Sequence, residues 1–117
     1  MAAVYSKQKL SASTDGQMIT VTGTASGAGT RIHTAQSSTT NFDEIWIYAT
    51  NINVASVNLT IEWGTTGSTN EIKLSIPSQS GLTLIIPGLV LQNSATVNAY
   101  ASVASTILLS GYVNRIS

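Results

Sequence analysis

The sequence has few side chains able to do chemistry, and the first to weigh is its only histidine, His33. A nucleophilic triad would have to run through it, since general-base work near neutral pH falls mainly to histidine. His33 stands in "TGTASGAGTRIHTAQSSTTN", a glycine- and hydroxyl-rich stretch without the strand-turn-helix setting of a nucleophile elbow. An exposed loop histidine is the expectation there. Glu62 and Glu71 would face one another if their segments form a hairpin, and paired carboxylates are what glycoside hydrolysis uses. Both fall in the outward phase beside Thr60 and Lys73, where solvated carboxylates are expected.

Asp43-Glu44 could give oxygens to a hard cation, but no third or fourth spaced ligand follows. The pair is expected to act as charged gatekeepers ahead of the apolar "IWIYA". "GTASGAG" lacks the Gly-Lys-Ser/Thr ending of a phosphate loop, and no helix follows it to hold an anion. "NLT" at Asn58 fits a glycosylation pattern but lies inside a strand-like run. With no cysteines, neither a disulfide nor a thiolate metal site is available. Trp46, Tyr48, Trp63, Tyr100 and Tyr112 could stack on sugars. Aromatic residues in strands more commonly fill cores and cross-strand pairs, and Trp63, in phase with Val57, Leu59 and Ile61, is expected in the core. These residues predict a non-enzymatic protein without cofactor or metal.

The elements that must carry them follow a period of two. "SVNLTIEW" puts Val57, Leu59, Ile61 and Trp63 on one face and Asn58, Thr60 and Glu62 on the other, and "NEIKLSI" does the same with Ile72, Leu74 and Ile76. "GTTGST" between them supplies a turn, so the two read as a hairpin. Further strands are expected in "AVYSKQKL", "QMITVTGT", "EIWIYAT", "GLTLIIP", "TVNAYASV" and "ILLSGYVNRI", with "RIHTA" a weaker addition. No window makes an amphipathic helix. The 117 residues predict one domain over 1–117. Its expected fold is an all-β antiparallel sandwich of about eight strands, jelly-roll-like, with an immunoglobulin-like sandwich as the alternative.

Charged residues make up 9% of the chain, five basic against five acidic, where a typical soluble protein has about 25%. Nucleic acid is a poor partner for so few cations, of which only Lys7 and Lys9 cluster. A membrane span is not expected, because the longest apolar run, "LTLIIPGLVL", is half the required length and is broken by Pro87-Gly88. The first residues show no apolar export signal, and the cysteine-free composition suits a reducing cytoplasm. A neutral surface rich in Ser, Thr and Asn gives little long-range repulsion and suits proteins that assemble.

Three segments are apolar in both phases: Ile45 to Tyr48, Leu82 to Leu91 apart from Thr83, and Ile107 to Leu109. One phase of each must face something besides the domain's own core. In "LTLIIPGLVL", Leu82, Leu84 and Ile86 are expected to continue the core. The Pro87-Gly88 step would bend the strand out of its sheet. Ile85, Leu89, Leu91 and Leu108 are the candidate contacts with a neighbouring subunit or partner.

The neutral, cysteine-free β chain and its ending "NAYASVASTILLSGYVNRIS" resemble the small virion structural proteins of tailed bacteriophages of the cyanophage type, and among these the head decoration or cement proteins. The resemblance implies a protein made in the host cytoplasm that binds the head surface. Its partner would be the major capsid protein or another virion protein, and it would act as a homo-oligomer, a trimer by preference. It carries no catalytic or ligand motif. A tail or neck accessory protein and a carbohydrate-binding sandwich using Trp46 or Tyr100 are the competing expectations.

Overall fold

Period-two alternation with β-branched and aromatic residues leaves this chain little choice but strands. A computed structural model describes residues 4–66 and 68–117. Nine strands run through them: β1 (Tyr5–Lys9), β2 (Ile19–Thr20), β3 (Thr30–Thr34), β4 (Phe42–Asn51), β5 (Val57–Gly64), β6 (Glu71–Ile76), β7 (Thr83–Leu91), β8 (Thr96–Ala101) and β9 (Ile107–Ile116). A 3-10 turn at Ser68–Asn70 leads into β6. The turn expected at "GTTGST" includes Gly67, which lies outside the described residues.

Every strand pairing is antiparallel. β1 and β2 pair with β9, β3 with β8, β4 with β7, and β5 with β6, so the chain is a long hairpin ribbon folded about the β5–β6 turn. The ribbon is rolled so that β9 also pairs with β4, and β8 with β5. One sheet then runs β1-β9-β4-β7, with β2 also on β9, and the other runs β3-β8-β5-β6. This is the jelly-roll order. β1 meets Tyr112 to Ile116 and β2 meets Leu108 and Leu109, so they occupy one edge of β9 as a single interrupted strand. That interruption accounts for nine strands in an eight-position fold.

The core lies between the sheets. Val57, Leu59, Ile61 and Ile76 are buried there, with Trp63, Ile72 and Leu74 packed at its margin, as their phase predicts. From the facing sheet come Ile45, Ile47, Ala49, Ile107, Leu109 and Val113. Gly111 faces Ile47 across the β4–β9 pair, and a Cβ placed on it would overlap the Trp46 carbonyl oxygen. The two central backbones approach so closely that only glycine fits.

β7 departs from the expected pattern. It stays paired with β4 along its length, from Thr83 opposite Ala49 to Leu91 opposite Asp43, and does not leave the sheet at Pro87-Gly88. Its pairing slips twice, once where Gly88 is the extra residue and once at Ile85. Each bulge resets the alternation by one residue. Ile85 and Ile86 are therefore both buried, while Leu82 and Leu84, expected in the core, are 56% and 43% exposed. Ile85, at 8% exposure in the core cluster, is thus not available as an intersubunit contact. Leu89 is exposed, and Leu91 is half-buried against the core. Gly88 has φ +81°, and the Trp46 ring packs where a Cβ would stand, 2.8 Å from its Cζ2.

Candidate functional site

Three places gather the side chains that the sequence singles out. The first is a buried charged cluster at one end of the core. His33 is not an exposed loop residue: it lies on β3 at 1% exposure, turned inward after a bulge between Arg31 and His33. Its Nδ1 accepts the Ser11 backbone N–H at 3.0 Å. The proton therefore sits on Nε2, which donates to Asp43 Oδ2 at 2.9 Å. Asp43 is fully buried rather than a surface gatekeeper. Arg115 clamps it from β9, Nε donating to Oδ1 and Nη2 to Oδ2, each at 2.9 Å. Gln36 adds its backbone N–H to Oδ2 and its side-chain amide to Oδ1.

This histidine and carboxylate have the pairing of a triad, but among the described residues no hydroxyl is hydrogen-bonded to the ring. The partner on the far side of the ring is a backbone N–H, and neither group reaches solvent. The cluster joins the segment after β1 to β3, β4 and β9, which is a structural task. Burial lowers the His33 pKa below its ordinary value, Asp43 offsets this only in part, and Arg115 lowers it further. For Asp43, burial acts to raise the pKa, but the hydrogen bonds from Arg115 and His33 outweigh it and hold the carboxyl below the usual range.

Both shifts make the folded state bind fewer protons than the unfolded chain in acid. The stability from His33 is complete above its unfolded pKa of about 6.5 and declines as pH falls below that, with the Asp43 share following below about pH 4. The urea midpoint should therefore fall between pH 7.5 and 5.5, as the unfolding free energy drops by no more than about 1.4 kcal/mol per pH unit for one proton. His33→Gln should flatten that drop, and a wild-type midpoint that does not move over this range would contradict the assignment.

The second place is the outer face of the β3-β8-β5-β6 sheet, which is polar. Rows across β8, β5 and β6 set Tyr100, Thr60 and Lys73 side by side, and beside them Asn98, Glu62 and Glu71. Glu62 and Glu71 do face each other, as the hairpin predicts. Glu62, however, is fully buried rather than solvated. The glycine-rich segment folds against it, with Ser26 Oγ donating to Glu62 Oε2 at 3.0 Å and Gly29 lying close to Oε1. Tyr100 Oη donates to Glu71 Oε2 at 2.7 Å, and that bond is the main reason its pKa is raised. Arg31 Nε donates to Asn98 Oδ1 at 3.0 Å. A carboxylate locked beneath a loop cannot reach a glycosidic bond, so the pair does not form an open acid-base site.

The third place is the outer face of the other sheet, where Trp46, Tyr48, Leu84, Val90, Leu108 and Tyr112 stand in the outward phase. Trp46 and Tyr112 stack with centroids 6.2 Å apart, and Lys7 Nζ lies 4.7 Å from the Tyr112 ring centre. Glu44 accepts from Trp46 Nε1 at 2.8 Å and Asn114 Nδ2 at 3.0 Å, and these bonds lower its pKa. The face is partly covered by its own aromatics, yet Leu84 and Val90 remain 43% and 50% exposed. Leu108, expected as a contact, is half-buried here.

Among the described residues no group of three or more His, Asp or Glu could hold a metal ion. No described helix is long and apolar enough to cross a membrane. No family model matches the chain, and no curated protein or solved structure gives a significant match.

The pairing of buried Asp43 with half-buried Arg115 is not among the sequence expectations, although its signal is present. Asp43 shares the phase of Ile45, Ile47 and Ala49, and Arg115 that of Val113, Leu109 and Ile107.

Proposed function

We propose that this chain is a non-enzymatic virion structural protein of a tailed phage, a decoration or cement protein that lies on the head and reinforces its shell. The observation that carries the reading is the contrast between the two outer faces: one sheet presents aromatic and aliphatic side chains, the other a polar grid. An apolar sheet face rimmed by polar groups marks an interaction surface, and covering Leu84 and Val90, each about half-exposed, is worth roughly half of the ~1.5–3 kcal/mol that full burial of such a side chain gives. The partner is the major capsid protein or another virion protein, and copies associate with one another, as a trimer by preference.

The bulges at Ile85 and Gly88, with Pro87 between them, spoil β7 as a template for an added strand. Docking therefore goes through side chains on the face rather than through edge hydrogen bonds. A chain with no net charge can crowd on one shell without repulsion, and many weak contacts multiply through avidity.

The test is co-sedimentation with expanded heads that lack a decoration protein, with tails as the comparison. Wild-type protein should sediment with heads, while Leu84→Asp and Val90→Asp should keep the wild-type melting profile and lose at least about tenfold in affinity. Binding to tails alone would replace the head assignment with a tail or neck role. Head binding unchanged in both folded variants would overturn the docking face.

A further inference from the structure

We infer that the outer face of the β3-β8-β5-β6 sheet is a binding site for a neutral saccharide, with Tyr100 as its stacking platform. Tyr100 on β8 and Glu71 on β6 lie on opposite sides of β5. Neighbouring strands are about 4.8 Å apart, so the bond from Tyr100 Oη to Glu71 Oε2 has to cross two strand spacings. To make it, the phenol ring must lie along the sheet, over Thr60. Thr60 is only 6% exposed although it stands on an outer face, which is what a ring roofing it would produce. Tyr100 itself stays partly exposed, which leaves part of the ring open to a ligand.

A flat aromatic face held at its far end costs little ordering when a ligand settles on it. Pyranose rings carry one apolar face of C–H groups that stacks on such a surface, with hydroxyls around the rim that need donors and acceptors. Those groups are next to Thr60: a cavity of about 330 Å³ is lined by Asn58, Leu59, Thr60, Lys73 and Leu74. Asn58 is exposed, and its carboxamide is free to bond a pair of neighbouring hydroxyls. The Lys73 side chain is 67% exposed, with Nζ 3.4 Å from Glu71 Oε1. Two cations, Arg31 and Lys73, share this face with two carboxylates, Glu62 and Glu71, so its formal charge balances and it suits a neutral polyol better than a phosphate or carboxylate.

This site is on the opposite sheet from the proposed docking face. A copy seated by its apolar sheet would therefore turn the saccharide site outward, and the isolated protein tests it without any head present. The experiment is an amide-resonance titration with a panel of neutral mono- and oligosaccharides at about 10 mM, where weak single-site binding is visible. At least one sugar should shift residues 58–60, 71–74 and 98–101 in a saturable way. Tyr100→Ala should weaken binding tenfold or more with an unchanged circular dichroism spectrum, and Tyr100→Phe, which keeps the ring but loses its tether, should weaken it less. The inference is overturned if no sugar shifts these residues, if Tyr100→Ala binds as wild type, or if the shifts centre on Trp46 and Tyr112.

Discussion

Gly111→Ala should prevent folding, or leave a chain whose urea midpoint collapses toward zero. The added methyl would overlap the Trp46 carbonyl oxygen and stand 3.0 Å from Ile47 Cα. Both are backbone atoms in the middle of the β4–β9 pair and cannot swing aside as a side chain does. Relief requires the two strands to separate where Ile45, Ile47, Leu109 and Val113 fill the core. Overpacking a well-packed core costs about 1–3 kcal/mol when neighbours give way, and a larger loss, beyond about 4 kcal/mol, is expected where backbone must yield. Gly27→Ala is the comparison. Gly27 has φ +79° with nothing within 4 Å of its would-be Cβ, so only the left-handed penalty of about 1–2 kcal/mol applies. Equal midpoints for the two variants would refute the close-approach argument.

Asp43→Ala should be nearly as damaging. It removes the acceptor for the Arg115 fork, for His33 Nε2 and for two donors of Gln36 in one step. Breaking one side of a buried pair typically costs about 3–5 kcal/mol because the partners are left unsatisfied. Arg115, with its side chain 32% exposed, can recover water, whereas His33 at 1% cannot. His33→Leu combined with Asp43→Leu should consequently be milder than Asp43→Ala, and a more damaged double variant would show that packing rather than hydrogen bonding dominates there. Urea unfolding at pH 7.5 measures both.

Alternation alone is enough to find β5 and β6 with their core faces, and β8 and β9 as strands, although Ile107 to Leu109, apolar in both phases, leaves the core face of β9 open. It failed at each bulge. In β7 two extra residues flip the phase, so Leu84 points out and Ile85 joins Ile86 inside. At β3 one bulge brings both Ile32 and His33 inward, turning an apparent loop histidine into a core residue. Glu62 illustrates a different limit. Its outward phase was read correctly, but burial comes from Ser26 and Gly29, a segment distant in sequence whose return onto that face no local pattern announces. The contrast between the two sheet faces was half-legible: the both-phase apolar segments "IWIY" and "ILL" mark one outer face, yet which strands share it depends on the rolled topology.

That roll also dictates when the fold can close. Tyr5 pairs with Ile116, and Val4 and Ser117 exchange backbone hydrogen bonds at 2.7 and 2.9 Å. On the ribosome, which adds roughly 5–20 residues per second, β1 has no partner until β9 has been made. The first pair with both strands available is the β5–β6 hairpin at the centre of the ribbon, and each outer pair has a longer loop to close, a topology of high contact order that favours slow folding. For several seconds of synthesis the apolar β4 and β7 segments are without their sheet, so Asp43 and Glu44, at the start of β4, are the charges that border a stretch where a nascent chain is most exposed to misassembly with its neighbours.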